Sequence, residues 1–140
     1  MNKIEAWYWG NLQLLANQMP DSTITYDDED CQWIAIDKFP LPRNVMQNRS
    51  RLFILTPGLD KPITQRPEAF YLDIGLKHRS GRHLDHVFNQ GAAHGCVDLS
   101  DYGYAWFCLL LDRWRPSYDV VSGDNYATVV NTIFQQLNTL

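Results

Sequence analysis

A cysteine inside an apolar run is the residue of this sequence best suited to nucleophilic chemistry. Cys108 lies in the stretch WFCLLLDRWRP, which covers residues 106–116. The apolar flanks would hold the thiol near a dry surface, and the cationic side chains of Arg113 and Arg115 would favour the thiolate, the form that attacks acyl groups. In a purely structural role the same residue would be a small buried side chain. The stretch therefore predicts an acyl-transfer nucleophile, with core packing as the alternative.

Cys96 is a second candidate nucleophile and lies in a histidine-bearing segment, HVFNQGAAHGCVDL at residues 86–99. Imidazole and thiolate groups are good zinc ligands. The spacings between His78, His83, His86, His94 and Cys96 nevertheless match no metal-binding pattern, so we predict neither a metal nor a cofactor. A histidine of this segment, such as His94, would instead orient or deprotonate a nearby thiol.

Apolar spacing predicts a helix near each end of the chain. In residues 4–19 apolar side chains recur every three to four positions, and Pro20 ends the segment. Near the other end, Asp124 is the predicted N-cap of a helix that continues to the last residue. The WYW run at residues 7–9 is expected to pack one face of the first helix into the core, and the alternative is a partner surface.

Three segments rich in β-formers lie between these helices, at residues 31–39, 50–56 and 69–76. No helical pattern separates them, so they predict an antiparallel meander rather than a βαβ unit. The acidic run at residues 27–30 is predicted to be a solvated turn. Residues 77–103 are polar and glycine-rich, and an irregular segment of this length is usually functional. We predict one α+β domain over residues 1–140.

The order of these elements and three short motifs resemble ubiquitin-conjugating enzymes. The motifs are FPLP at residues 39–42, CL at 108–109, and WRP at 114–116 with an acidic residue three positions on. The resemblance is closest to divergent bacterial (prokaryotic E2-like) members of the family, some of which belong to CBASS antiphage systems. It covers residues 33–137 loosely and residues 107–119 closely. It implies a ubiquitin-conjugating-enzyme-like fold, an antiparallel meander sheet flanked by N- and C-terminal helices.

This resemblance implies a thioester-forming acyltransferase that acts in bacterial antiphage defence. In the family, the cysteine accepts a protein C-terminus as a thioester and passes it to an amine. The implied partner is a ubiquitin-like protein or the C-terminal tail of a cyclic-nucleotide synthase (cGAS/CD-NTase-like), with an activating enzyme as a further partner. The alternative is a conjugating-enzyme-like module that binds such a tail without catalysis.

The family's His-Pro-Asn tripeptide, whose Asn serves the oxyanion, has no counterpart before Cys108. Residues 100–102, Ser-Asp-Tyr, stand at the corresponding place. The hydroxyl of Tyr102 or Ser100, or backbone N–H groups, would then take the oxyanion role. Asp119 would help to receive the amine, and the alternative for Asp119 is a role in the turn.

A competing alignment with the family makes Cys96 the nucleophile and Asn89 the oxyanion donor. The string CVDL at residues 96–99 imitates the family's motif after the cysteine. This alignment leaves a long insertion before Trp114, where the family keeps a short connection. Cys108 is therefore the preferred nucleophile, and Cys96 is the alternative.

Composition argues against several classes of protein. The net charge of −4 disfavours broad binding to phosphate backbones, and residues 77–82 form only a local basic patch. No apolar run approaches the roughly 20 residues that span a bilayer, and the first residues lack the features of a signal peptide. Three widely spaced cysteines predict no disulfide framework. We therefore expect a cytoplasmic protein that binds neither nucleic acid nor membranes.

Overall fold

Two α-helices and a six-stranded antiparallel sheet form the described part of the chain. The structure is a computed structural model that describes residues 1–85, 87–88, 91–92 and 96–140. Helix α1 spans Lys3–Gln18 and helix α2 spans Tyr126–Asn138. The strands are β1 Ile24–Tyr26, β2 Trp33–Pro40, β3 Arg49–Leu55, β4 Ala69–Asp73, β5 Val87–Phe88 and β6 Tyr104–Cys108, and short 3-10 helices span Ser100–Tyr102 and Val120–Ser122. None of the helices in the described ranges combines the length and apolar character that crossing a membrane requires.

The strands lie side by side in the order β1-β2-β3-β4-β6-β5. Strands β1 to β4 form a meander, β6 pairs with β4, and β5 lies on the outer edge of β6; every pairing is antiparallel. The predicted α+β chain with an antiparallel meander sheet and a helix at each end is confirmed. Strands β1, β5 and β6 were not predicted, and β4 ends three residues before its predicted end.

One face of the sheet, here called the helix face, packs against both helices. Alternate strand residues point to this face because successive side chains of a strand point to opposite sides. The buried strand residues of this core are Ile34, Ile36, Phe39, Leu52, Ile54, Phe70, Leu72, Ala105 and Phe107. They meet Trp7, Tyr8, Leu12 and Leu15 of α1 and Val129, Ile133 and Leu137 of α2. The amphipathic spacing of both helices is thus explained by this single core.

A buried polar residue joins the two helices on this face. The Asn11 side chain is fully buried; its Nδ2 donates to the carbonyl of Trp7 (2.8 Å), and its Oδ1 accepts the backbone N–H of Tyr126 (2.7 Å). The first N–H groups of a helix have no partner inside that helix. Asn11 therefore satisfies a donor at the start of α2 and fixes where α2 begins against α1.

The opposite face of the sheet, here called the loop face, carries a second and smaller cluster. Its buried members are Ala69, Tyr71 and Trp106. Partly buried residues pack around them: Phe53, Leu55, Ala92, Cys96, Leu99, Tyr104 and Cys108. Loop residues rather than helices cover this face, so several of its aromatic side chains keep contact with solvent.

Two local predictions need correction or refinement. The N-cap of α2 is Asn125, not Asp124: the Asn125 side chain accepts the N–H groups of Ala127 and Thr128, and Thr128 bonds back to the N–H of Asn125. In the WYW run, Trp7 and Tyr8 are core residues, whereas Trp9 is 45% exposed. The run is therefore divided between the core and the surface.

Candidate active site

Cys108 is the last residue of β6 and lies on the loop face. Its thiol is partly buried and lines an open pocket of about 180 Å³ together with Arg66, Pro67, Glu68 and Leu109. The register of β4 and β6 sets Cys108 opposite Ala69, which brings the residues just before β4 next to the thiol. The predicted nucleophile therefore stands at a strand end beside one cationic and one anionic side chain.

The backbone that follows Cys108 leaves the sheet but is held by hydrogen bonds. The N–H of Leu109 donates to the carbonyl of Glu68 (3.0 Å), and Nη1 of Arg66 donates to the carbonyl of Leu111 (2.6 Å). Arg66 and Glu68 thus hold the backbone of residues 109–111 as well as lining the pocket.

Gln136 of α2 clamps the same segment from the other side. Its Nε2 donates to the carbonyl of Cys108 (2.7 Å), and its Oε1 accepts the N–H of Leu110 (2.9 Å). The side chain is nearly buried. One amide group therefore replaces the backbone partners that residues 108 and 110 lose where the sheet ends.

Sequence reasoning did not identify Arg66, Glu68 or Gln136. All three reach Cys108 through tertiary structure, Arg66 and Glu68 by the pairing of β4 with β6 and Gln136 by the docking of α2. The only local signal for Arg66 and Glu68 was Pro67 between them. Pro67 marks the turn before β4 and places these two residues just before the strand.

Cys96 lies on the same loop face. It packs against the Ala69, Tyr71 and Trp106 cluster and lines a neighbouring pocket of about 130 Å³. This pocket and the Cys108 pocket share Arg66, Pro67 and Glu68. Both candidate nucleophiles thus flank the segment of residues 66–68.

A tyrosine hydrogen bond ties the segment after Cys96 to the sheet. The Tyr71 hydroxyl donates to the carbonyl of Val97 (2.5 Å). Burial above all, followed by the nearby Cys96 thiol, raises the pKa of Tyr71 to about 12. Tyr71 therefore stays protonated and keeps donating up to strongly alkaline pH.

The structure does not bring Tyr102 or Ser100 to Cys108. Both precede β6, whose first residue, Tyr104, lies about 13 Å from Cys108 at roughly 3.3 Å per strand residue. Tyr102 is 73% exposed, and the N–H of Ser100 donates to the Asp98 carboxylate (2.9 Å), which lowers the Asp98 pKa. These two hydroxyls belong to the opposite end of the strand.

Asp119 also lies apart from Cys108. Its carboxylate accepts the Ser122 hydroxyl (2.5 Å) in the turn before α2, and the Asn125 N-cap holds the adjoining carbonyl of Val120 (3.0 Å). Cys108 is instead held by Gln136. This residue lies eleven positions after Asn125, which corresponds to about 16 Å of helix at 1.5 Å per residue. In this position Asp119 organises a turn.

The WRP corner has a structural role in the described chain. The Trp114 side chain packs against Trp7 and Tyr126 and donates its Nε1 hydrogen to the carbonyl of Ile63 (2.9 Å). The next residues run close to Gly123, where a Cβ atom would lie 2.6 Å from the carbonyl oxygen of Arg115. The corner therefore fixes the path from β6 to α2.

The two arginines near this corner have their own partners at Asp124. Arg113 forms an ion pair with its carboxylate (3.6 Å), and the backbone N–H of Arg115 donates to the same carboxylate (2.7 Å). The cation that shares a pocket with Cys108 is Arg66 instead.

The remaining predicted site residues involve the histidine-bearing segment. Asn89, His94 and His86 lie outside the described residues. His78 is part of a turn, with its Nδ1 2.8 Å from the Ser80 hydroxyl. Among the residues that the structure describes, no three His, Cys, Asp or Glu side chains form a group that would hold a metal ion.

Comparison with known proteins does not identify a family for this chain. No family model, curated protein or solved structure matches the chain. The chain is thus characterised by its α+β fold and by two cysteines on the loop face of its sheet.

Proposed function

We propose that this protein is a cysteine-dependent conjugating enzyme that carries a protein C-terminus as a thioester on Cys108 and transfers it to an amine. The observation that carries the proposal is the partly exposed Cys108 thiol at the end of β6, in one pocket with Arg66 and Glu68. Acyl transfer to an amine needs a nucleophile, a donor for the oxyanion and a proton acceptor, and a thiol, a guanidinium and a carboxylate are able to serve in these three roles.

In the first step the Cys108 thiolate attacks the carbonyl carbon of an acyl group bound as a thioester to an activating enzyme. A new thioester forms on Cys108, and the activating enzyme leaves with its thiol restored. The negative charge that develops on the carbonyl oxygen needs a donor. The N–H groups of Leu109 and Leu110 already donate to Glu68 and Gln136. Arg66 is the proposed donor, because a guanidinium has five N–H groups and one bond to Leu111 leaves others free.

In the second step an amine attacks the thioester, an amide forms, and Cys108 leaves as the thiol. The ammonium form of the amine must lose a proton before or during the attack. Glu68 is the proposed acceptor of that proton, because its exposed side chain lines the pocket and has no ion-pair partner among the described residues.

The resemblance to bacterial conjugating enzymes supports a choice of donor. The proposed acyl group is the C-terminus of a ubiquitin-like protein or the tail of a cyclic-nucleotide synthase (cGAS/CD-NTase-like), delivered by an activating enzyme in antiphage defence. An exposed strand end with a shallow pocket suits an extended C-terminal tail better than an enclosed cavity would.

Intact mass spectrometry tests the proposal. Wild-type protein, Cys108→Ala and Cys96→Ala are each incubated with a lysate of cells that express the genes adjacent to the gene of this protein. Each sample is then treated with a thiol reductant. We expect a reductant-sensitive adduct that is absent only from Cys108→Ala. Loss only in Cys96→Ala would move the nucleophile to the second pocket.

A Glu68→Gln variant separates the two steps. It should form the adduct but discharge it to an amine about a hundredfold more slowly. Asp21→Asn, an exposed carboxylate after α1, serves as the control and should behave as the wild type. Equal discharge by Glu68→Gln and the wild type would contradict the role of Glu68.

One observation favours a second candidate, a conjugating-enzyme-like module that binds without catalysis. Neither of the predicted hydroxyls, on Tyr102 and Ser100, lies beside Cys108, so neither takes the place of the family's oxyanion Asn there, and the proposed mechanism depends on Arg66 as the donor. A folded protein that binds a tail but forms no adduct in any of these samples would establish this candidate.

A further inference from the structure

A cleft far from the cysteine pockets lies between the first half of α1 and the turn that leads into β2. It has a volume of about 210 Å³. Its floor is apolar, with Tyr8 and Leu12 buried, and Trp9 and Tyr26 stand at its side. The proposed transfer reaction uses none of these residues, so the cleft has no role yet.

The aromatic wall of the cleft is accessible. Trp9 is 45% exposed, and its ring centroid lies 6.3 Å from that of Tyr26, with the two planes at 67°. Two aromatic rings at a steep angle offer π-electron surface to a cation, and tryptophan gives the strongest such attraction. Tyr26 also keeps the Trp9 ring at the cleft.

The rim of the cleft is acidic. Three of the ten lining residues, Glu5, Asp28 and Glu29, carry carboxylates, and none carries a basic side chain. Both ion pairs in the described part of the chain lie elsewhere, at Arg51 with Asp73 and at Arg113 with Asp124. The carboxylates of the cleft are therefore not neutralised by an ion pair within the described residues.

The negative field reaches the floor of the cleft. Burial raises the pKa of the Cys31 thiol, and the charges of Asp27, Glu5, Asp30 and Asp28 raise it further. A field that disfavours an anion at this point favours a cation. Aromatic surface and negative field thus point to the same kind of ligand.

We propose that this cleft binds the cationic side chain of a lysine or arginine on a partner protein. The charged end would lie over the Trp9 ring and near Glu5 and Glu29, while its aliphatic stem would cover Leu12 and Tyr8. The volume is below the range of about 300–1,000 Å³ that is usual for small-molecule sites, and it suits one extended side chain. The site does not depend on the proposed transferase activity.

The test is a nuclear magnetic resonance titration of the full chain at millimolar peptide concentrations. The ligand is a capped pentapeptide with one central lysine among glycines, and its matched control has norleucine in place of the lysine. We expect the lysine peptide to shift the indole N–H signal of Trp9, which a Trp9→Leu spectrum identifies, and the norleucine peptide to leave it in place. Equal shifts with both peptides, or no shift with the lysine peptide, would overturn the proposal.

Three variants then test the parts of the cleft, with the backbone signals of residues 27–31 as the measure of affinity. Trp9→Leu should bind about fivefold more weakly because the cation–π contact is lost. Glu29→Gln should bind roughly twofold more weakly, and added salt should narrow that difference. Asp21→Asn, at the other end of α1, should bind as the wild type does. Equal weakening by Asp21→Asn and Glu29→Gln would show that only net charge matters and would refute a defined site.

Discussion

The two faces of the sheet differ in what covers them. The helix face is closed by α1 and α2 over a continuous core in which Phe70, Phe107 and Ile133 are fully buried. The loop face has a core of only Ala69, Tyr71 and Trp106, and around it Phe53 stays partly exposed and Phe88 is 46% exposed. Both cysteines of the candidate site lie on this second face.

This difference indicates that the helix face mainly stabilises the fold, whereas the loop face carries the reactive groups. Close packing excludes water and leaves no room for a substrate, so the interface between the sheet and the helices contributes stability but no reactive group. A loop-covered face retains polar groups and open pockets, as at Arg66 and Glu68, at the expense of buried area. Functional residues are commonly found on loops that a rigid scaffold positions, and here the scaffold is the opposite face of the same sheet.

The largest expected effect is a difference in stability between matched aromatic substitutions on the two faces. Phe107→Ala should lower the free energy of unfolding by about 4 kcal/mol, because it leaves a cavity beside Phe70, against which the ring stacks at 5.1 Å. Phe53→Ala should lower it by only about 1.5 kcal/mol, because its ring is partly exposed. Urea unfolding measures both values. Equal losses would show that the loop face contributes as much stability as the helix face.

A smaller effect is expected from the polar link between the helices. Asn11→Ala removes the acceptor of the buried Tyr126 N–H and should lower the free energy of unfolding by about 2 kcal/mol. Asn17→Ala is a matched control, because Asn17 lies on the exposed side of the same helix and the change slightly favours helix. If the two variants unfold at the same urea concentration, the Asn11 bond does not stabilise the helix face.

The sequence predicted the helix face better than the loop face, and the reason is physical. Helix α1 and strands β2 and β3 each bury one side, so their apolar residues recur at a readable period. Strand β6 is buried on both sides at Ala105, Trp106 and Phe107, which removes the alternation. Strand β4 is buried in the same way, but Pro67 marks where it begins, and β6 has no such boundary signal. Strands β1 and β5 have three and two residues, too few to show any period.

The candidate site was predicted only where it is local in sequence. Cys108 was identified from its own neighbours, but Tyr102 and Asp119 were chosen because they stand at the positions of the family's motifs, and an extended strand and a helix separate them from the thiol. Arg66 and Glu68 lie about forty residues before Cys108 and reach it only through the register of β4 with β6. Such long-range pairing is not encoded in any local spacing.

Gln136 connects the two faces, because it extends from α2 to the backbone at Cys108. Gln136→Leu leaves the Cys108 carbonyl and the Leu110 N–H without partners and should lower the free energy of unfolding by about 1.5 kcal/mol. Release of this segment should also speed the alkylation of Cys108, measured by peptide-resolved mass spectrometry. The exposed neighbour Gln135→Leu is the control and should change neither quantity. An unchanged alkylation rate in Gln136→Leu would show that the sheet alone holds the thiol.

The smallest expected effect concerns the loop that covers the loop face. Tyr71→Phe removes the bond to the Val97 carbonyl and should lower the free energy of unfolding by about 1 kcal/mol at neutral pH. If that loss opens the covering segment, Cys96 should be alkylated up to about fivefold faster. Tyr104→Phe is the control, because the Tyr104 hydroxyl makes no hydrogen bond within the described residues.

The same variant has a pH signature that a simple packing defect would not produce. The pKa of Tyr71 is about 12 in the folded chain, against about 10 for an ordinary tyrosine, so the unfolded chain releases this proton first. The stability that the protonated Tyr71 hydroxyl contributes is therefore complete below pH 10 and is lost as the pH rises from about 10 through 12. Unfolding experiments across this range should show the wild type losing its advantage over Tyr71→Phe. A constant gap between the wild type and Tyr71→Phe would mean that the Tyr71 hydroxyl is equally exposed in the folded and unfolded chains, and that the loop does not close this face of the sheet.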